Sequence, residues 1–308
     1  MIVQQCSCDR RSPGFRAMRS WLWAPAFAGA LVGGCVAVAP VTVRQPPAIV
    51  APVAVDGVPA GMQYLYGSGE AAAISRQAWR AIADWGAAAA RRRPRESVVL
   101  AEGATLAVPR FVPCAAKPLA AVFDVDETVA LNLGFERDAV GGRPYEQRRW
   151  RAYEITGGTT ARAVPGAVEA IRSLRADGIT VVFNSNRSAE NAAATAAMIE
   201  RLGLGPAEPG ETLYLADQAT GSAKDSRRTA IAARYCVVAL GGDQLGDFSD
   251  LFNAGMTPPQ RRAAADAPAI ARLWGAGWFV LPNPVYGTAL KGGLDEVFPA
   301  DSAWAPEP

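Results

Sequence analysis

Short apolar runs alternate with longer stretches of helical composition through most of this chain. The stretches between the runs are long enough for helices and cover residues 165–178, 189–203 and 226–234. Continuous apolar runs are typical of strands buried on both faces, and helix-length connections are typical of parallel crossovers. The pattern predicts an α/β fold with a doubly wound, Rossmann-like parallel sheet. Its strands are expected at residues 119–123, 179–183, 212–216, 235–242 and 277–282.

An amphipathic helix is predicted before the first of these strands. Between residues 68 and 92, apolar residues recur at three- and four-residue spacing, namely Ile74, Trp79, Ile82 and Trp85. The chain has 308 residues, of which 50% are hydrophobic, so it can bury at least one large core. We expect one domain over residues 61–300, with this helix as an N-terminal extension.

The first sixty residues are typical of an export signal and a tether. Arg16 and Arg19 precede the apolar segment 21–34, as in a secretory signal peptide. Residues 32–35, Val-Gly-Gly-Cys, resemble a bacterial lipobox, which predicts lipidation of Cys35 and an outer membrane lipoprotein facing the periplasm or the cell surface. An uncleaved anchor helix and a simple signal peptide are the alternatives. Residues 36–60 are rich in Pro, Ala and Val and are predicted to form an extended tether.

Composition excludes several classes of function. The chain contains no histidine, which rules out Ser-His-Asp hydrolases, phosphohistidine enzymes and zinc sites built on histidine. The net charge is +2, and no long basic run is present, so we expect no nucleic acid partner. Cys114 and Cys236 fall within the predicted domain. In an exported protein they could form a disulfide, but two core cysteines fit the sequence equally well.

Polar residues follow the apolar runs where the predicted strands end: Asp124, Ser185, Asp217 and Asp243. In open α/β sheets, ligands bind beyond the carboxyl ends of the strands, so these groups are expected at one edge. We interpret Asp217 as peripheral. Asp124 also belongs to a run of three acids within four positions, a density typical of a solvated turn or of a site where a cation compensates the charge. The strand-end pattern favours the cation.

The residues at this edge suit phosphoryl transfer. Asp124, held at the end of a buried strand, is a candidate nucleophile. Asp126 could protonate a leaving oxygen and then deprotonate a water molecule. Thr128, Ser185, Asn186 and Lys224 are the predicted phosphate-binding residues, because hydroxyl, amide and ammonium groups stabilise a moving phosphoryl group.

Oxygen ligands for Mg²⁺ are available at the same edge. A magnesium ion binds through a few carboxylate or carbonyl oxygens and keeps several waters. The predicted ligands are Asp124, the main-chain carbonyl of Asp126, Asp243, and Asp247 directly or through water.

Several sequence blocks carry a family resemblance. The segment Asp124-Val-Asp126-Glu-Thr128, then Ser185, Lys224 and the acids of 242–247, resembles in order the four motifs of the haloacid dehalogenase-like superfamily. The blocks DVDET, AVPGAVEA, VVFNSNR, GGDQLGDF and LPNPVYG further resemble class C acid phosphatases, the lipoprotein-e type 5′-nucleotidases. The resemblance covers about residues 61–298.

This resemblance implies an activity and assigns roles to residues. It implies a Mg²⁺-dependent acid phosphatase that hydrolyses phosphomonoesters, including nucleoside 5′-monophosphates, through an aspartyl-phosphate on Asp124. It also implies a small cap insert at about residues 129–163 and a homodimer. Tyr286, and less directly Trp150, correspond to aromatic residues that stack on the substrate's base, although core or rim packing would explain both equally well.

The sequence departs from the family pattern at two motif positions, and residues 146–163, within the predicted cap insert, do not match the family closely. Leu131-Asn132 stands where an Asp-Asn pair is common, and Gly246 replaces the first of two adjacent acids. Neither change affects a predicted catalytic group, but the first weakens the expectation of a nucleotide substrate. Arg187 is predicted to pair with either the substrate or a local acid. The alternative functions are a non-catalytic nucleotide-binding surface lipoprotein, or a phosphotransferase or sugar phosphatase on the same fold.

Overall fold

The computed structural model describes residues 57–305. The predicted signal segment, Cys35 and all but the last residues of the predicted tether lie outside this range. Among the helices between residues 57 and 305, none combines the length and apolar character needed to cross a bilayer.

The described chain alternates strands and helices. The strands are β1 Glu96–Leu100, β2 Phe111–Pro113, β3 Leu119–Phe123, β4 Ala130–Leu131, β5 Arg162–Ala163, β6 Thr180–Ser188, β7 Leu213–Ala216, β8 Cys236–Gly242 and β9 Trp278–Val280. The helices are α1 Ala60–Met62, α2 Gly69–Arg92, α3 Leu133–Val140, α4 Gln147–Thr156, α5 Ala167–Ala176, α6 Ala192–Arg201, α7 Asp225–Arg234, α8 Pro258–Asp266, α9 Pro268–Ala271 and α10 Leu294–Val297.

Five parallel strands form the central sheet, in the order β7-β6-β3-β8-β9. All five correspond to apolar runs in the sequence, and helices α5, α6 and α7 lie in the connections between them. This arrangement confirms the predicted doubly wound α/β fold. The carboxyl ends of β3 and β8 are adjacent, because Phe123 is in register with Gly241.

The core has a layer on each face of the sheet, which explains why the strands are continuously apolar. On β3, Ala121 and Phe123 belong to one buried cluster, while Ala120 and Val122 belong to the other. Helices α2, α5 and α6 pack in the first cluster, and α7 in the second. Burying both faces in this way requires apolar side chains at every position of the strand.

Helix α2 follows its predicted bounds closely, starting after Ser68, whose side chain accepts a hydrogen bond from the amide of Ala71. This contact is an ordinary N-cap. Trp79 and Ile82 are fully buried, as their spacing predicts. Ile74 is exposed, however, because it lies to one side of the buried face of the helix, which Ala71, Ser75, Trp79, Ile82, Gly86 and Ala89 form.

Two short strand pairs lie outside the main sheet, and the sequence pattern did not predict them. Strands β1 and β2 are antiparallel, and so are β4 and β5. The second pair brackets helices α3 and α4, within the segment predicted as a cap insert at about 129–163. We refer to residues 129–163 as the cap segment.

Cys114 and Cys236 form a buried disulfide, which decides between the two alternatives left open by the sequence. Cys114 directly follows β2, and Cys236 is the first residue of β8. The bond therefore lies toward the amino ends of the parallel strands, opposite the edge where Asp124 and Asp243 emerge.

Candidate active site

Three carboxylates converge at the carboxyl edge of the sheet. Asp124, Asp243 and Asp247 each offer an oxygen, and these oxygens lie within 4.8 Å of one another. Asp124 follows β3 and Asp243 follows β8, so the pairing of the two strands brings them together. The backbone amide of Asp124 donates to the carbonyl of Gly241 over 3.0 Å, which extends the strand pairing to the acid itself.

Asp247 reaches this cluster from a short 3₁₀ helix, Leu245–Asp247. Its carboxylate accepts a hydrogen bond from the amide of Gln244 over 2.9 Å and passes close over Gly242. A Cβ atom at Gly242 would lie 2.3 Å from the Asp247 side chain, far inside van der Waals contact. Glycine before Asp243 is therefore required for the third carboxylate to reach the site.

Lys224 is the cation of this cluster. Its Nζ atom lies 2.5 Å from Asp124 Oδ1 and 2.6 Å from Asp247 Oδ1, and its side chain is buried. Burial alone would lower the pKa of Lys224, but the charges of the two carboxylates outweigh burial and raise it above its usual value. The ammonium is thus fixed in its charged form.

Asp250 fixes the backbone that carries Lys224. Its carboxylate accepts hydrogen bonds from the amide of Lys224, over 2.9 Å, and from that of Asp225, over 2.7 Å. These amides are at the N-terminus of α7, where unpaired donors favour a negative group. The start of α7 is therefore held at the edge of the sheet.

The negative charge of the three carboxylates exceeds the positive charge of Lys224. Burial raises the pKa of Asp124 well above its usual range, and the charges of Asp247 and Asp243 act in the same direction against the lowering effect of Lys224. Burial and the charge of Asp247 raise the pKa of Asp243 to about 7. Three carboxylates and one ammonium leave two negative charges, which one divalent cation would balance. Because carboxylate oxygens are the donors that hard divalent cations prefer, these residues fit such an ion.

Thr128 lies between the carboxylates of the two neighbouring strands. Its buried hydroxyl is 3.1 Å from Asp243 Oδ1 and 3.5 Å from Asp124 Oδ2. The sequence predicted that this hydroxyl binds phosphate. In the structure its contacts are with the acids, so its position supports their orientation.

Asp126 is held by a separate set of contacts, outside the three-acid cluster. Its Oδ1 atom accepts hydrogen bonds from Arg187 Nε over 2.9 Å and from Asn132 Nδ2 over 2.8 Å. Its Oδ2 atom lies 3.3 Å from Ser185 Oγ. Of the two roles predicted for Arg187, the structure shows pairing with a local acid. The ion pair fixes the direction of the carboxylate.

Arg187 also connects this acid to the cap segment. The guanidinium is buried and lies over the ring of Trp150, with its carbon 5.3 Å from the ring centroid. Its Nη2 atom donates to Asn132 Oδ1 over 2.8 Å. One side chain therefore contacts Asp126, the start of the cap segment and a helix of that segment.

The other predicted phosphate-binding residues differ in accessibility. Ser185 is fully buried, and its hydroxyl oxygen accepts a hydrogen bond from the backbone amide of Arg187 over 3.2 Å. Asn186 is exposed and lines the cavity beside Lys224. Its side chain contacts the carbonyl of Ser222 over 3.2 Å and Arg227 over 2.6 Å.

A cavity of about 610 Å³ opens over the acids, within the size range of small-molecule sites. Asp124, Asp126, Lys224, Asp243 and Asp247 lie on one side of it. The apolar and aromatic part of the wall comprises Met62, Phe135, Ala139, Tyr145, Trp150, Val285 and Tyr286, and further polar residues also line the cavity, among them Glu136, Asn186, Gln244, Asn253 and Thr288. Both predicted stacking residues are thus in the wall.

Asp217 is not part of this arrangement. It is exposed, and its carboxylate accepts hydrogen bonds from the amides of Ala219 and Thr220 over 3.0 and 2.8 Å. It lines an adjoining cavity of about 900 Å³, as do Trp150 and Asn186. Asp217 therefore stabilises a turn rather than joining the acids.

Glu127 was not assigned a role from the sequence, although it is the third acid of the DVDET block. It is buried with a φ of 53°, a strained backbone conformation that non-glycine residues adopt mostly at functional sites. Its carboxylate accepts hydrogen bonds from the hydroxyl groups of Tyr286 and Tyr66 and from the amide of Asn132. Burial and the charge of Asp126 raise the pKa of Glu127 to about 8.

Two amide side chains that sequence reasoning also missed support Asp243. Asn283 Nδ2 and Gln244 Nε2 donate to Asp243 Oδ2 over 2.7 and 3.0 Å. Asn283 belongs to the block LPNPVYG, and Gln244 to GGDQLGDF, so the blocks contained both residues. Nothing in the residue types alone separates these amides from ordinary loop residues.

Comparison with known proteins gives a family match and two structural neighbours. The sequence model of the HAD superfamily, subfamily IIIB (Acid phosphatase), matches residues 85–289. A structure of the class C acid phosphatase from Bacillus anthracis is similar to this chain, with a TM-score of 0.59 and 24% sequence identity. The match covers 74% of this chain and 84% of the other chain. A tungstate-bound structure of the class C acid phosphatase from the same organism has a TM-score of 0.59 and 22% identity, and the match covers 80% of this chain and 96% of the other chain. At these identities the two structures show the fold. No curated protein gives a significant match to the sequence.

Proposed function

The chain belongs to the acid phosphatases of the HAD superfamily, subfamily IIIB, and on that premise we propose a Mg²⁺-dependent reaction through an aspartyl-phosphate on Asp124. The observation that supports this proposal is the convergence of Asp124, Asp243 and Asp247 with Lys224 at one edge of the sheet. Asp126 stands beside this group, held by Arg187.

In the first step an oxygen of Asp124 attacks the phosphorus of the ester. A bond between this oxygen and phosphorus forms, the bond to the leaving oxygen breaks, and Asp126 gives its proton to the leaving oxygen. Lys224 donates hydrogen bonds to the phosphoryl oxygens, where negative charge is concentrated.

In the second step the phosphorylated Asp124 is hydrolysed. Asp126, now ionised, accepts a proton from a water molecule, whose oxygen bonds to phosphorus as the bond to Asp124 breaks. Inorganic phosphate leaves, and both aspartates return to their initial states. The contacts from Arg187, Asn132 and Ser185 would keep Asp126 oriented through both proton transfers.

The proposed ligands of Mg²⁺ are Asp124, Asp243, Asp247 and the main-chain carbonyl of Asp126. When bound, the ion supplies positive charge that neutralises the acids and the phosphoryl oxygens. Asn283 and Gln244 would orient Asp243 toward it, as outer contacts orient metal ligands generally.

Nucleoside 5′-monophosphates are proposed as substrates. The cavity is large enough for a base and ribose, and Tyr286 and Trp150 offer flat surfaces on which a base could stack. Leu131 is the position where the sequence departs from the family, and the neighbouring Asn132 is occupied by its contacts with Asp126, Glu127 and Arg187. This leaves the aromatic wall as the main candidate for base binding.

Export and lipidation on Cys35 are proposed from the sequence, with residues 36–60 as the tether. The Cys114–Cys236 disulfide supports a location outside the reducing cytoplasm. Incorporation of a labelled fatty acid by the full chain, and its loss in Cys35→Ala, would test lipidation. The homodimer implied by the family resemblance would be tested by light scattering.

Activity is tested with protein lacking residues 1–35 and a chromogenic phosphate ester. We expect hydrolysis that EDTA abolishes and added Mg²⁺ restores. Asp124→Asn should lose activity by at least about 10³-fold, because the nucleophile is removed. Asp217→Asn is the matched control, since Asp217 also follows a strand but lies outside the cluster. Full activity of Asp124→Asn, or activity that survives EDTA, would refute the mechanism.

The alternative of phosphoryl transfer uses the same intermediate. Adding glycerol to the reaction separates the two outcomes, because transfer yields glycerol phosphate and hydrolysis yields only inorganic phosphate. A set of nucleotides and sugar phosphates, compared by kcat/KM, would define the preferred ester.

A further inference from the structure

Glu136 is a buried carboxylate in the cavity wall for which the proposed reaction has no use. It lies on α3, its side chain is only 8% exposed, and it lines the cavity together with the catalytic acids. Within residues 57–305, no hydrogen bond or ion pair engages its carboxylate. The carboxylate is thus open to the cavity and available to a ligand there, and a cationic partner would offset the cost of holding its charge in a largely buried position.

Asp138, on the same helix, differs from Glu136 in having ion-pair partners. Asp138 pairs with both Arg143 and Arg149 at the surface. Glu136 instead lines the cavity. Burial and the charge of Asp126 raise the pKa of Glu136 to about 7. A positively charged ligand would act in the opposite direction and favour the ionised carboxylate.

Of the acids that line the cavity, three contact a cationic side chain: Lys224 contacts Asp124 and Asp247, and Arg187 contacts Asp126. Asp243 instead accepts hydrogen bonds from Asn283 and Gln244. Among these acids of the described chain, only Glu136 has neither kind of partner for its carboxylate. Because Asp126 is the residue that would protonate the leaving oxygen, the acid beside it lies on the side of the leaving group.

The surroundings of Glu136 suit an organic cation. Phe135, Tyr145, Trp150 and Tyr286 line the same cavity, and aromatic faces attract cations. Arg149 and Arg187 lie over Phe135 and Trp150, but each is paired with an aspartate. In this apolar environment, a contact between a carboxylate and an ammonium group is stronger than in water.

We propose that Glu136 is a specificity-determining residue that favours phosphomonoesters whose leaving group carries a positively charged nitrogen. The inference rests on the proposed function, since it assigns a substrate class to the same cavity. It also predicts the reverse for esters whose leaving group carries a second negative charge, which Glu136 would repel.

The test compares three phenyl phosphates that differ only at the para position: aminomethyl, hydroxymethyl and carboxymethyl. The methylene group keeps the acidity of the three leaving groups similar. Glu136→Gln removes the charge and keeps the shape of the side chain. Glu146→Gln is the control, because Glu146 is an exposed acid of the cap segment that does not line the cavity.

Assays are run above pH 7, where Glu136 is ionised even without a ligand. We expect Glu136→Gln to lower kcat/KM for the aminomethyl ester by about tenfold. For the hydroxymethyl ester kcat/KM should stay within about twofold of the wild type, and for the carboxymethyl ester it should rise. Glu146→Gln should change none of the three. Equal changes for all three esters, or no change, would overturn the inference.

A binding measurement separates this inference from the proposed function. Benzyltrimethylammonium, titrated calorimetrically into the full chain, should bind the wild type several-fold more tightly than Glu136→Gln. If the wild type hydrolyses no ester, the proposed function fails, and the binding difference alone then supports or rejects the cation site. Equal binding to both proteins rejects it.

Discussion

The carboxyl edge of the sheet and the cap segment contribute to the same cavity, but they are built differently. At the edge, Asp124 and Asp243 are fixed by backbone pairing of adjacent strands, and Lys224 joins Asp124 to Asp247. The wall contributed by the cap segment consists of aromatic and aliphatic side chains and one free carboxylate. On the proposed function, the edge of the sheet would carry the chemistry and the cap segment would carry selectivity.

Polar contacts between the two regions at the site run through three side chains, Asn132, Arg187 and Glu154, and Asn132 donates to both Asp126 and Glu127. Arg187 lies between them, with Asp126 on one side and Trp150 on the other. Glu154 of α4 accepts a hydrogen bond from the backbone amide of Ser188, the residue after Arg187, over 2.9 Å. Substitutions on either side of this contact should therefore have separable kinetic effects.

Lys224→Met should produce the largest loss. It removes the ammonium that neutralises Asp124 and Asp247 and would contact the phosphoryl group. We expect kcat/KM to fall by about 10³-fold. Lys291→Met, at an exposed position, is the control, and circular dichroism would verify folding. Activity within about threefold of the wild type would remove Lys224 from the proposed mechanism.

Arg187→Met should reduce kcat by about 10²-fold, because Asp126 would lose the contact that orients it. Arg187→Lys keeps the charge but cannot make both contacts to Asp126 and Asn132, so it should recover only part of the activity. Steady-state kinetics would show whether kcat falls more than KM rises. A change confined to KM would place Arg187 with the cap segment rather than with the edge.

Stability of the metal-free protein should depend on pH through the buried acids. The folded-state pKa values of Glu127, Asp243 and Glu136 are raised to about 8, 7 and 7 by burial. A raised pKa means that the folded state holds protons that the unfolded state has released. The associated stability is therefore complete below about pH 4, where the unfolded chain also holds these protons, and is lost as pH rises through 7 to 8.

We expect Tm of the EDTA-treated protein to fall by at least about 5 °C between pH 5 and pH 8 as a result. Added Mg²⁺ should reverse much of this fall if the acids bind it, since a ligand of the folded state stabilises it. Scanning calorimetry at both pH values, with and without the ion, measures the effect. A Tm that rises over this pH range would contradict the assignment.

Trp150→Leu should have the smallest effect and should be selective. Loss of the flat ring is expected to raise KM for nucleoside 5′-monophosphates by about fivefold, with little change in kcat. A small alkyl phosphate should be unaffected. Trp304→Leu is the control, because Trp304 is 84% exposed and outside the cavity. Equal effects on both substrates would assign Trp150 to structure alone.

The strand ends could be predicted because local sequence determines them. An apolar run of about five residues marks a strand, the acid after it marks the edge, and the rules of parallel sheets bring the edges together. These rules sufficed for the central sheet and for the placement of Asp124 and Asp243. Asp247 was predicted as a further carboxylate at the same edge and Lys224 as a phosphate-binding ammonium, and the family resemblance assigns them the same roles.

Long-range contacts could not be predicted in the same way. The carboxylate of Glu127 meets Tyr66 and Tyr286, which are 61 and 159 positions away. Asp126 and Arg187 are 61 positions apart. Nothing in the residue types requires these pairs, because each side chain could equally be solvated in a loop. Short strands such as β4 and β5 are similarly stabilised by tertiary contacts rather than by local propensity.

The disulfide between Cys114 and Cys236 closes a loop of 122 residues that contains β3, the cap segment and β6. Thiols in a reducing cytoplasm stay unbonded, so on the proposed export the chain would gain this constraint only after leaving the cytoplasm. The domain around the site would then reach its full stability outside the cytoplasm, away from the phosphate esters inside the cell.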